Sequence, residues 1–174
     1  MISGHVFIAT SLDGFIAKKD GDIEWLISRD EPSEDHGYDE FIKDKDGIIM
    51  GRETFKKSLT FNPWPFQIPV IVMSKTFDSK NLPDNVRILK TSPTQVMKTL
   101  ENEGFKKVYV DGGLIIQSFL REKLISDMVI TTVPVLLGEG RSLFGSMDND
   151  ISLTHINTKA FPSGLVQSKY SVKK

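Results

Sequence analysis

Two strand-to-helix turns carry residue types suited to holding a phosphate. In the first, the apolar run Ile48-Ile49-Met50 passes into Gly51-Arg52-Glu53-Thr54-Phe55, where a helix begins. Gly51 lets a ligand approach bare backbone. The free N–H groups and dipole of a helix start favour an anion, and Arg52 adds a planar fork of donors that matches phosphate oxygens. Taken alone, a plain tight turn with a solvated arginine is the simpler account, because single glycines at such turns are common. In the second, Val108-Tyr109-Val110-Asp111 is followed by Gly112-Gly113 and then by the apolar residues Leu114-Ile115. Two missing Cβ atoms at a strand tip would let a dinucleotide pyrophosphate lie against the main chain. The spacing is neither G-x-G-x-x-G nor a P-loop, so an ordinary loop and a phosphate turn explain it equally. Two such turns in one sheet reinforce each other, since a dinucleotide has two phosphate-bearing halves.

Other reactive groups are less suggestive. His5, His36 and His155 are too scattered for a metal-ligand pattern, and with no cysteine in the chain neither a thiolate metal site nor a disulfide framework is available; no metal is expected. Ser11-Leu12-Asp13 lacks the glycines of a nucleophile elbow. Glu139 and Ser142 lie in a glycine-containing loop and carry little weight as ligand contacts.

These turns need a scaffold, and the chain supplies one. The 174 residues fit one domain, 1–174, better than two. The 22 Lys+Arg balance 23 Asp+Glu, which disfavours a nucleic-acid partner that would be held through its phosphates. No apolar run approaches the roughly 20 residues that span a bilayer, and the start of the chain lacks the pattern of a signal peptide. A soluble, cytoplasmic protein with no membrane partner is expected. Short β-branched or aromatic runs at Val6–Ala9, Gly47–Met50, Val70–Met73, Val86–Leu89 and Val108–Val110 read as buried strands. Helical stretches are expected at Asp35–Lys43, at Pro93–Glu103 behind a Ser92 cap, and at Leu114–Leu124, where apolar residues recur at 115, 116, 119, 120 and 124. Met128–Leu137 reads as one long extended segment. Leu153–Ala160 and Leu165–Val172 read as a hairpin around Phe161-Pro162-Ser163-Gly164. The expected fold is therefore α/β: a mostly parallel sheet with an antiparallel C-terminal hairpin, flanked by helices. Such open sheets bind ligands at the carboxyl ends of their strands.

Five segments, in order, carry a resemblance to a known family. They are Ser11-Leu12-Asp13-Gly14-Phe15-Ile16-Ala17, Met50-Gly51-Arg52-Glu53-Thr54-Phe55, the stretch from Trp64-Pro65 through Val72-Met73-Ser74-Lys75, Val110-Asp111-Gly112-Gly113, and Val133 to Phe144. Together they resemble the dihydrofolate-reductase-like superfamily, nearest the branch of the reductase domain of bifunctional riboflavin-biosynthesis deaminase/reductases. The resemblance implies a three-layer fold with NADPH along the carboxyl edge of the sheet. It places Ala9, Ile16 and Ala17 near the nicotinamide, and Gly51, Arg52, Glu53 and Thr54 at phosphates, with Arg52 favouring the 2′-phosphate of NADPH. Ser74 and Lys75 fall beside the adenosine phosphate, and Gly112, Gly113, Leu114 and Ile115 at the pyrophosphate, with a cis bond joining the two glycines. Asp111 replaces a glycine of the dihydrofolate reductases.

The resemblance further implies reduction of a small nitrogen heterocycle, first 5-amino-6-(5-phosphoribosylamino)uracil and next dihydrofolate or another pterin. A non-catalytic nucleotide-binding module of the same fold is the alternative. Counting back from Gly51, Asp35 falls at the carboxylate position of the folate-reducing enzymes and is the candidate catalytic residue; a cap at a helix start, in an exposed acidic stretch, is the simpler account. Trp25 and Tyr38, with Phe41, are candidates for an aromatic wall against a flat substrate, although helical spacing also suits core packing. Relatives of this type commonly form homodimers, and the extended segment and hairpin offer edges for pairing.

Overall fold

A computed structural model of the protein describes residues 1–29, 31–77 and 81–173. The strands are β1 (Ser3–Ser11), β2 (Phe15–Ala17), β3 (Gly47–Gly51), β4 (Val70–Met73), β5 (Val86–Leu89), β6 (Lys107–Asp111), β7 (Ile125–Val133), β8 (Arg141–Ser142), β9 (Leu153–Ala160) and β10 (Val166–Val172). The helices are α1 (Glu24–Ile27), α2 (Tyr38–Ile42), α3 (Arg52–Ser58), α4 (Pro93–Asn102) and α5 (Gly113–Arg121). Eight strands form one sheet in the order β5-β4-β3-β6-β1-β7-β10-β9, and β2 pairs with β8 in a separate two-stranded ribbon. Pairing is parallel from β5 to β7. It turns antiparallel at β7–β10 and β10–β9, as expected for a hairpin closing one edge.

The alternation of side chains along a strand sorts the apolar residues into two layers. Val6, Ile49, Ile71, Val108 and Val110 pack with Val96, Met97 and Leu100 of α4 and with Ile116, Phe119 and Leu120 of α5. Across the sheet, Ile48, Met50, Val70 and Val72 pack with Phe55 of α3 and with Tyr38, Phe41 and Ile42. A third cluster gathers Trp25 of α1, Val133, Phe161 and Leu165 beside Ala9. The result is three layers, α4/α5, sheet, and α1–α3. Ser92 caps α4, its Oγ accepting from Gln95 N at 3.3 Å, with Pro93 in the first turn. Ser92→Ala is expected to cost about 1 kcal/mol in urea unfolding; an unchanged midpoint would remove the cap from the account of α4.

Several boundaries differ from the sequence expectation. The first helix expected after Trp25 starts at Tyr38 rather than Asp35, because Asp35 turns its carboxylate onto Gly37 N at 2.7 Å and Gly37 is the N-cap. That local side-chain bond competes with helix. The long segment ends as a strand at Val133, where Pro134 has no N–H for the ladder. The short elements α1, β2 and β8 have no counterpart in the expected set. Among the described residues no helix is long and apolar enough to cross a membrane.

Candidate functional site

The tips of β3 and β6 lie side by side, with Met50 opposite Asp111, and each tip feeds a helix. A Cβ built on Gly112 would collide with Thr54 Oγ1 of α3. One on Gly113 would sit 2.6 Å from the Ser142 carbonyl oxygen and 3.2 Å from Ile16 Cδ1, and one on Gly51 would sit 3.1 Å from Ile115 Cγ1. The glycines therefore let α3, α5 and the β2–β8 ribbon converge on one spot. Gly112 turns the chain at φ 90 and ψ 132, a conformation open to glycine. The Gly112–Gly113 peptide is trans, not the cis bond that the resemblance implies: the cis bond among the described residues is Asn62–Pro63, and the Gly112 torsions make the turn.

Neither α3 nor α5 has a side-chain cap; the short α1 and α2 also lack one, and α4 has one. The first-turn N–H groups of a helix have no intrahelical partner, so two adjacent helix starts present donors at one place. This arrangement fits the pyrophosphate of a dinucleotide. Leu114, in the first turn of α5, is 79% exposed, an apolar side chain beside those donors.

Arg52 points along the edge towards the tip of β4. Its Nη1 donates to Thr76 Oγ1 at 2.9 Å and its Nε to Glu53 Oε1 at 2.8 Å. The Arg52 guanidinium first, and Lys56 after it, hold the exposed Glu53 carboxyl below its ordinary range against the opposing effect of burial. Ser74 and exposed Lys75 follow β4, and Ser74 Oγ accepts from Phe77 N at 3.0 Å. The structure thus brings Arg52, Ser74 and Lys75 to one end of the edge. It adds Thr76, which had no sequence signal beyond its neighbours.

Ile16 of β2 lies over the α5 start, its Cδ1 3.2 Å from a Cβ built on Gly113, and Ala17 follows it in the ribbon. β2 is held by β8, with Ala17 opposite Arg141, and by the loop after β1, where Asp13 accepts from Ser11 Oγ, Leu137 N and Gly138 N. The Ser11 hydroxyl is the main cause that lowers the Asp13 carboxyl. Ser11 and Asp13 are loop-fastening groups. Ala9 lies two strands from Gly51, within the Trp25 cluster.

Asp111 ends β6 with its Oδ1 accepting from Gly112 N at 2.8 Å. Burial pushes its carboxyl up to about 6, against the Gly112 N–H that favours the charged form. The proton is bound more tightly in the folded protein than in the unfolded chain, where an aspartate titrates near 3.8. The resulting stability is full below about pH 4 and is lost as pH rises through about 6. Asp111→Asn keeps an acceptor for Gly112 N and removes the titration. Its stability advantage over the parent is expected to grow from about pH 4 to about pH 7 in urea unfolding, and a constant difference would refute the burial account.

Trp25 and Tyr38 do not form one wall. Tyr38 packs edge-on against Phe7 at 5.6 Å and Tyr109 at 6.3 Å between ring centroids, and burial pushes its hydroxyl up to about 12. It is a core side chain of the second cluster. Trp25 is 6% exposed in the third, and its buried indole N–H has no acceptor among the described residues. A cavity of about 600 Å³ opens beside that cluster, lined by Glu31, Ser33, Glu34, Asp35, Lys159, Phe161, Pro162 and Ser163. Asp35 is exposed on its rim. Phe161 belongs both to this cavity and to the Trp25 cluster. In the sequence, residues 161–164 read only as a hairpin turn, and their place on this cavity has no local signal.

Sheet order, the helical layers on its two faces and paired glycine tips define a dihydrofolate-reductase-like α/β protein. The dihydrofolate reductase of Enterococcus faecalis, solved with NADP(H), shares this fold at a TM-score of 0.64 and 14% identity, covering 99% of this chain and 97% of that one. The chain belongs to the RibD C-terminal domain family, whose pattern matches residues 4–167. It is 31% identical over 158 residues to the Bacillus subtilis (strain 168) protein YwjB, covering 90% of each chain. A putative riboflavin biosynthesis protein from Shewanella sp. PV-4 superposes with a TM-score of 0.93 at 39% identity, over 99% of this chain and 100% of that one. The bifunctional diaminohydroxyphosphoribosylaminopyrimidine deaminase/5-amino-6-(5-phosphoribosylamino)uracil reductase of Thermotoga maritima matches at a TM-score of 0.76 and 14% identity, over 99% of this chain and 57% of that one.

Proposed function

We propose that the protein is an NADPH-dependent reductase of a small nitrogen heterocycle. The observation that carries this reading is the convergence of two uncapped helix starts at glycine strand tips, with Arg52 turned towards the neighbouring β4 tip. Along the carboxyl edge, Ser74 and Lys75 with Arg52 would hold the adenosine end. Gly51, Glu53, Thr54, Gly112, Gly113, Leu114 and Ile115 would line the phosphates, and Ala9, Ile16 and Ala17 the nicotinamide. From β4 to β1 is three strand spacings, about 14 Å. When bound, NADPH supplies the hydride. The residues of this chain orient the dinucleotide, and Trp25 and Phe161 close an apolar wall beyond Ala9. Asp35, on the cavity rim, would meet the substrate there.

NADPH at a hundred times its Kd is expected to stabilise the fold by about 2.7 kcal/mol, a rise of roughly 5–10 °C in Tm for a chain of this size. The reductase then consumes the dihydronicotinamide absorbance with one member of a panel of oxidised heterocycles. 5-Amino-6-(5-phosphoribosylamino)uracil, the substrate named for the Thermotoga maritima enzyme, heads that panel, followed by dihydrofolate. No thermal shift with NADPH would overturn the reading. A shift without turnover on any member would favour a nucleotide-binding module.

A further inference from the structure

The edge of the sheet continues past the nicotinamide strands to a cavity whose charge is opposite to that of the phosphate-holding end. We propose that this cavity, between the 31–35 loop and the turn joining β9 to β10, binds a positively charged group of the substrate. The inference rests on the reductase reading and narrows its substrate class.

Three observations carry it. First, the cavity is of ligand size, about 600 Å³, and Phe161 joins it to the Trp25 and Ala9 cluster. It lies two to three strands beyond β1 along the same edge, within reach of one elongated substrate. Second, three carboxylates, Glu31, Glu34 and Asp35, line it against the single cation Lys159. Glu34 is fixed in place: its oxygens accept from Ser163 N at 2.8 Å, Ser163 Oγ at 2.5 Å and His36 Nε2 at 3.2 Å. The Ser163 hydroxyl is the main cause that keeps its carboxyl below the usual range. Third, the Lys159 ammonium stands over the Phe161 ring, 4.3 Å from its centroid. The protein's own ammonium already occupies a cation–π position on the cavity wall. Lys159 is on the exposed edge strand β9 and can swing out into solvent. A ligand cation taking its place keeps the ring contact and meets the carboxylates, whereas a phosphate ester meets like charge. The same reasoning sets this cavity apart from the α3/α5 end, where the two helix starts would favour an anion.

Three size-matched probes test this on the full chain saturated with NADPH: benzamidine as the cation, benzamide as the neutral form and phenyl phosphate as the anion. Calorimetry is expected to show benzamidine binding at least tenfold more tightly than either of the others. In the variant Glu31→Gln/Asp35→Asn that preference is expected to shrink about tenfold, and Lys159→Ala, which removes the internal competitor, is expected to strengthen benzamidine several-fold. Phenyl phosphate binding as tightly as benzamidine, no binding by any probe, or benzamidine binding that neither variant changes would each overturn the proposal. NADPH titration of the same samples separates the two readings. Loss of NADPH binding with an intact benzamidine preference refutes the reductase, not the cation site.

Discussion

Arg52→Ala is expected to weaken NADPH by about 1.5–3 kcal/mol, the range for a lost charge-assisted hydrogen bond, which is about 10- to 150-fold in Kd. NADH, which has no 2′-phosphate, should lose little. The expectation follows from the pose of the guanidinium: Thr76 and Glu53 anchor it at the β4 tip beside Ser74 and Lys75, away from the Gly112–Gly113 turn proposed for the pyrophosphate. Fluorescence titration with both cofactors measures the difference. Equal losses for NADPH and NADH would show that Arg52 acts on the shared phosphates or on α3 itself. Because the side chain is largely solvent-facing, the NADPH loss should also diminish at high salt.

Gly112→Ala is expected to lower stability by about 3 kcal/mol, combining an unfavourable positive-φ backbone with a collision in a packed region. For a chain of this length the Tm should fall by roughly 6–12 °C. The new methyl would strike Thr54 Oγ1, so it should also spread the α3 and α5 starts and abolish tight NADPH binding. Gly104→Ala is the matched control. Gly104 has φ +95 with nothing within 4 Å of an added Cβ, so it carries the backbone cost alone, about 1 kcal/mol, and should leave NADPH binding untouched. If the two variants behave alike in melting and in binding, the close approach of α3 to α5 is not what Gly112 secures.

Much of the scaffold was legible because its signals are local. β4 and β5 match the expected Val70–Met73 and Val86–Leu89, and β9 matches Leu153–Ala160. Each is a run with turn residues or polar boundaries on both sides. α4 and α5 carried a helical apolar period and, for α4, a serine cap. The glycine tips were visible as phosphate candidates, and the structure adds why they are glycines: Thr54, Ser142 and Ile16 occupy the space a Cβ would need. The β2–β8 ribbon was not legible, since strands of three and two residues have no measurable period and hold together only through pairing such as Ala17 with Arg141. Tyr38 and Trp25 looked alike as aromatic residues near a helix. One is a core ring against Phe7 and Tyr109, the other closes a cluster with Phe161, and the difference lies in which distant strand each one meets.

By itself the sequence determined the element types, the mostly parallel sheet with its antiparallel hairpin, and the two strand tips able to face phosphates, because backbone propensity, apolar period and missing Cβ atoms act within a few residues. Only the tertiary structure decided that Arg52 turns to Thr76, that Asp111 is buried enough to hold a proton up to about 6, and that Glu34 and Phe161 meet in one cavity. Those outcomes depend on desolvation and contact between segments far apart in the chain. The sheet order sets those distances, and no local pattern encodes them.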